Sequence, residues 1–207
     1  MSARRLGVGS AVLGIAAVGW ALALAQTRGM TAPSVWPYLG LWTAMTVAMM
    51  LPSTIPMLLL VDRLSSRATP KFAVGYLVVW TLAGVAAYAT GAAIRWSDTG
   101  VLLIAAGIYQ LLPLKQACLR HCRNPLVFLR AHGGHGPLRA GIVHGSYCVG
   151  CCAGLMLVLF ALGMMSVAWM AVFAAAILAE KLLPFGERIT RVTAMLFACD
   201  GVWVILA

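Results

Sequence analysis

The stretch "HGSYCVGCCAGLMLVLF", residues 144–160, sets one imidazole and three thiols at the head of an apolar run. On a helix turning about 100° per residue, His144, Cys148, Cys151 and Cys152 share an arc of about 100°. At a rise of about 1.5 Å per residue they cover about 12 Å of that face. Thiolates select Cu(I) and other soft ions, and imidazole suits copper, zinc and iron. Free cysteine often packs as a small hydrophobe, but three thiols and an imidazole on one face of one apolar helix point to a metal site or thiol redox chemistry.

Two further soft clusters lie upstream. In "CLRHC", Cys118, His121 and Cys122 have i, i+3, i+4 spacing and share a face if the segment is helical. Lys115, Arg120 and Arg123 beside them favour the thiolate form that binds metal. In "WTAMTVAMMLPSTIPM", Met45 and Met49 are spaced i, i+4, and Met50 adds a third thioether. Pro52 and Pro56 free backbone carbonyls there and can kink the helix. Met156, Met164 and Met165 supply thioethers further along. Glu180 and Asp200 are acids inside apolar runs, where such groups suggest function. With Gln110 they are candidates for handling protons or orienting ligands.

Other soft and charged residues have simpler accounts. Cys199 alone reads as packing, as would Met45 and Met49 without the cysteines. His132 and His135, in "AHGGHG", read as solvated loop residues or as aids to metal capture. Glu180 and Lys181 read as a neutralising adjacent pair near an interface.

The elements that must position these groups follow from composition. The chain of 207 residues is 62% hydrophobic and 10% charged, with mean hydropathy +0.95. Soluble domains average about 45–50% apolar and about 25% charged. The expected fold is therefore all-α: a single polytopic bundle of transmembrane helices. Seven spans are expected, at about 6–25, 36–60, 72–94, 100–116, 141–162, 165–182 and 190–207. The Arg pair and A-x-A-like end of residues 1–25 also fit a cleaved signal peptide; retention as a span is favoured. Residues 117–140 are expected as a basic loop whose "NPLVFLR" piece forms a short interfacial helix.

With a cytoplasmic N-terminus, thirteen of the fifteen Lys and Arg residues fall on inner segments and only Arg28 and Arg95 on outer ones. That asymmetry sets the orientation. It also accounts for the net charge of +10 without nucleic acid, since the cations flank apolar runs and meet anionic headgroups. Five of the six cysteines then lie on or near the cytoplasmic half, where thiols stay reduced. Metal or redox chemistry is favoured over structural disulfides.

The pieces "WTAMTVAMMLPSTIPM", "YQLLPLKQACLRHCRNP", "GIVHGSYCVGCCAGLMLVLFALGMM" and "EKLLPFG" occur in order from about residue 40 to 190. Through them the chain resembles a bacterial family of uncharacterised, predicted metal-binding integral membrane proteins, some labelled copper chaperones. The resemblance implies a multi-span protein of the inner membrane with a metal site at the matched Cys and His positions. It fixes neither the metal nor a reaction. That family usually carries a larger residue, often Trp, after the paired cysteines; Ala153 here leaves more room.

Three functions remain open, in this order. The first is copper handling: Cu(I) enters at Cys118, His121 and Cys122, passes to His144, Cys148, Cys151 and Cys152, then to Met45, Met49 and Met50. It would go on to a membrane metalloenzyme, a soluble metal carrier or export. No nucleotide-binding motif is present, so ATP-driven pumping by this chain alone is excluded. The second is a membrane metalloenzyme, a copper- or haem-dependent oxidoreductase with iron or zinc as further metals, in which Glu180, Asp200 and Gln110 handle protons. The third is thiol–disulfide exchange with quinone through Cys148-x-x-Cys151. Lipid and a metal ion are the expected partners, and assembly with itself or another chain is left open.

Overall fold

The computed structural model describes residues 3–27, 34–91, 99–161 and 166–206. They form ten α-helices and two short 3-10 turns, with no strand among the described residues. In chain order the helices are α1 (Ala3–Thr27), α2 (Val35–Met50), α3 (Ile55–Leu64), α4 (Ala68–Gly91) and α5 (Thr99–Leu111). The second half comprises α6 (Pro113–Arg123), α7 (Pro125–His132), α8 (Pro137–Ala161), α9 (Val167–Leu182) and α10 (Gly186–Leu206). Four helices, α1, α4, α8 and α10, are long and apolar enough to cross a membrane, and six spans result if each of two bent pairs counts as one.

The bent pairs are where the expected straight spans differ. Residues 36–60, expected as one helix, divide into α2 and α3 at an angle of 43°. Pro52 has no N–H to continue the ladder, so Pro52–Thr54 tightens into a 3-10 turn. Ser53 Oγ and Thr54 Oγ1 donate to the carbonyls of Met50 and Leu51, each at 2.7 Å. These side chains satisfy carbonyls that the break releases. Residues 100–123 divide at Leu112, where α5 and α6 meet at 61°. Leu112 precedes a proline and is extended, φ −63° and ψ 142°, as the clash with the proline ring requires. The segment expected as a loop is instead largely helical, because α6 runs to Arg123 and α7 covers the "NPLVFLR" piece. The expected sixth span, 165–182, corresponds to α9, with 16 residues; Met164 and Met165 lie outside the described residues.

The bundle is apolar outside as well as inside. Leu13, Val18, Val78, Leu82, Val101, Val192, Leu196 and Trp203 are all exposed, the pattern of helices solvated by lipid. Between helices, packing relies on close backbone approach at small residues. At the α4–α8 crossing, a Cβ on Gly75 would lie 2.3 Å from the Leu138 carbonyl oxygen, and one on Gly141 would lie 2.1 Å from that of Phe72. Only glycine fits either position. This crossing holds the thiol-bearing helix α8 against α4, which carries Tyr76 and Trp80. The main core unites Met45, Met49 and Met50 with Trp80, Cys148, Cys151, Cys152, Met170 and Ile177.

Gly141→Ala forces a methyl group into the Phe72 backbone and is expected to cost about 1–3 kcal/mol of stability. Gly14→Ala, with nothing within 4 Å of the added atom, serves as the neutral control. Thermal unfolding in mild detergent should show a lower midpoint for the first variant only.

Candidate metal centre

Helix α8 presents Cys148, Cys151 and Cys152 inward at one level, all buried, with their sulfurs within 4.8 Å of one another. The Cys151–Cys152 separation is 3.6 Å. A fourth sulfur arrives from α6: Cys122 Sγ lies 3.7 Å from Cys151 Sγ. The cluster therefore joins residues 29 positions apart, and it exists because Pro113 turns α6 back against α8. A thiolate–metal bond of about 2.3 Å gives sulfur–sulfur edges of about 3.8 Å in a tetrahedron, against about 4.6 Å across a linear pair. The observed edges suit a metal shared by three or four sulfurs, and the donor set suits a soft ion.

Cys148 differs from the other three in its surroundings. Its sulfur lies 3.0 Å from the Tyr76 hydroxyl and accepts from Lys181 Nζ at 3.0 Å. Lys181 also donates to Ser53 Oγ at 3.1 Å. One amine thus ties α9 to α8 and to the proline-induced break after α2. Lys181, Tyr76 and Ser53 are the members of this site that sequence reasoning missed. Lys181 stood in the "EKLLPFG" piece but was read there as an interfacial cation paired with its neighbour. Tyr76 and Ser53 gave no signal.

Glu180 turns to different partners. Its carboxylate accepts from Lys115 Nζ at 2.8 Å and from Gln110 Nε2 at 3.4 Å, and Lys115 Nζ also donates to Gln110 Oε1. All three residues are buried. Arg123 donates to the carbonyls of Glu180, Leu183 and Pro184, capping the end of α9. Lys115 and Lys181, two of the thirteen cations assigned to inner segments, are therefore core residues. Gln110 and Glu180 form a clamp that holds α5 and α6 to α9. Asp200 and Cys199 are exposed on α10.

The remaining expected ligands take separate positions. Cys118 is buried against the backbone of Gly150, where a Cβ would lie 2.8 Å from its sulfur. Nearby, Tyr109 donates to the Gly150 carbonyl at 2.5 Å. His121 stacks on Tyr147 with centroids 4.2 Å apart, and its Nδ1 donates to the Ala117 carbonyl at 2.8 Å. That bond leaves Nε2 as the nitrogen with a free lone pair. His144 sits among the rings of Phe72, Tyr76 and Phe128, at 5.6, 6.0 and 5.1 Å. Its Nδ1 is buried without a hydrogen-bond partner. It shares a helix face with the cysteines, as expected, but falls outside the three-sulfur group. Met45, Met49, Met50 and Met156 line a small pocket with Trp42, Thr46 and Trp80. Ala153 lines an apolar cavity of about 190 Å³ with Trp42, Trp80 and Met156, and no cysteine borders it.

Comparison with known proteins returns one family model, described as PpoB2, copper chaperone, which matches residues 39–204. No curated protein and no solved structure matches the chain.

The Lys115–Glu180 pair generates a stability prediction. Glu180→Gln strands a buried ammonium, and breaking such a pair costs about 3–5 kcal/mol. The double variant Lys115→Met/Glu180→Gln, which removes both charges, should recover most of that loss. Unfolding midpoints of the two variants in detergent check the ordering, and equal losses would contradict it.

Proposed function

The chain belongs to the PpoB2 copper chaperone family, and from that premise we propose that it is an inner-membrane protein that holds Cu(I) on thiols inside its helix bundle and hands it on. The observation that carries this reading is the approach of four sulfurs from two helices, buried Cys148, Cys151 and Cys152 with half-buried Cys122, into one cluster. Cu(I) favours thiolate and thioether donors over oxygen, and the apolar bundle keeps water from competing. Thiols that share a metal also exchange it readily, since one sulfur can leave as another arrives.

Cys118 and the open Nε2 of His121, on the same helix as Cys122, serve as the entry. Met45, Met49 and Met50 provide weaker thioether donors in the same core and serve as the exit. His144, one turn before Cys148 on α8, keeps an unpaired Nδ1 among its ring neighbours and stands apart from the sulfurs. The charge asymmetry supports a cytoplasmic N-terminus and seven crossings, and the recipient is a membrane metalloenzyme or a soluble carrier. In this reading Gln110 and Glu180 act by holding α6 in place rather than by moving protons.

Protein purified under reducing conditions and supplied with Cu(I) should retain about one copper per chain, as soft-ligand preference requires. Cys151→Ser/Cys152→Ser leaves the Lys181–Cys148 contact in place and should lose that copper while folding normally. Mass-spectrometric metal analysis decides the matter: stoichiometric copper in the double variant would rule out Cys151 and Cys152 as required ligands.

A further inference from the structure

Four charged side chains are buried among the described residues, Asp62, Lys115, Glu180 and Lys181, and neither acid pairs with Lys181. Lys115 is neutralised by Glu180 at 2.8 Å. Arg123 directs its guanidinium to backbone carbonyls at the end of α9. Lys181 has no carboxylate: among the described residues its hydrogen-bond partners are Cys148 Sγ and Ser53 Oγ. An ammonium in apolar surroundings requires an anion beside it, and among the described residues the thiols are the groups placed to supply one.

We propose that Lys181 is the resident counter-cation of the metal centre, matched to a metal–thiolate complex of net charge −1. The inference rests on the copper reading above and adds a residue and a charge to it. If two of the three or four sulfurs around Cu(I) are thiolates and the rest thiols, the complex has charge −1, and with Lys181 the site is neutral. A site of that charge without Lys181 would leave an anion buried among Met, Leu and Trp side chains. Ser53 and the Tyr76 hydroxyl hold the arrangement from either side: Ser53 tethers the amine, and Tyr76 contacts the same sulfur. The amine therefore acts through the sulfurs, as a positioning residue that keeps an anionic complex soluble in an apolar core.

Charge and packing give opposite orders of effect at this position. Lys181→Met nearly preserves shape and removes the charge, whereas Lys181→Arg keeps the charge and adds bulk. Cu(I) affinity of the full-length protein in detergent, measured by competition with a colorimetric Cu(I) chelator, should fall at least about tenfold in Lys181→Met, the scale expected of a group that acts through a ligand. It should stay within about threefold of wild type in Lys181→Arg and fall furthest in Lys181→Glu, as like charges demand. Affinity retained in Lys181→Met, or weaker in Lys181→Arg than in Lys181→Met, overturns the proposal and assigns Lys181 to packing. Should Lys181→Met not fold, Ser53→Ala carries the test: it removes one tether of the amine and should weaken Cu(I) binding several-fold, and unchanged affinity there also overturns the proposal. A wild-type protein that binds no Cu(I) defeats the copper reading itself, whereas a wild type that binds with unchanged affinity in Lys181→Met defeats only the counter-cation.

Discussion

A charge buried in an apolar bundle must find its opposite, and the end of α9 is organised by that requirement. Glu180 and Lys181 are neighbours in the chain, yet a helix points adjacent side chains about 100° apart. Glu180 consequently meets Lys115 on α6, and Lys181 meets Cys148 on α8. The two helices that carry the thiols are thereby fastened to one helix end. Arg123 adds a third tie by capping the carbonyls that α9 leaves open. If these charges were unpaired, the desolvation penalty would drive the helices apart. Their pairing holds α6 and α8 at that end, where Cys122 and Cys151 lie 3.7 Å apart.

Two prolines supply the bends that make such pairing reachable. Pro113 turns α6 by 61° from α5, so that Cys122 approaches α8 instead of continuing along the α5 axis. Pro52 breaks α2 from α3 and leaves Ser53 in a 3-10 turn, where its hydroxyl reaches the Lys181 amine. In both cases the lost backbone bonds are recovered locally, by Ser53 and Thr54 at one break and by the Gln116 side chain on the Gln110 carbonyl at the other. The site thus lies where the helices are irregular.

The aromatic residues separate the site from its surroundings. Phe72, Tyr76 and Phe128 enclose His144, and Tyr147 stacks on His121. On the opposite flank Trp42 and Trp80 are joined by a 2.8 Å bond from the Trp42 indole to the Trp80 carbonyl, and both border the methionine pocket. The imidazoles are therefore set among rings, while thiols and thioethers share one core. This partition lets donors of different softness coexist in one small bundle.

Composition and spacing by themselves determined that the protein is all helical and that several helices can cross a membrane, and they picked out the cysteines of "CLRHC" and "YCVGCC" as candidate ligands. Those properties are local: apolar run length, the 3.6-residue period and the softness of sulfur act within one segment. The family resemblance was legible for the same reason, because its motifs are short. Tertiary structure decided which thiol of "CLRHC" joins the cluster, since both lie on one face of α6 and only the 61° bend selects Cys122 over Cys118. It decided that His144 faces rings and not sulfurs, although the helical arc placed it with them. It also gave Glu180 and Lys181 separate partners on α6 and α8, where sequence adjacency had suggested mutual neutralisation. The physical reason is common to all three. Charge pairing and proline geometry act between segments far apart in the chain, and a one-dimensional pattern carries no record of which faces meet.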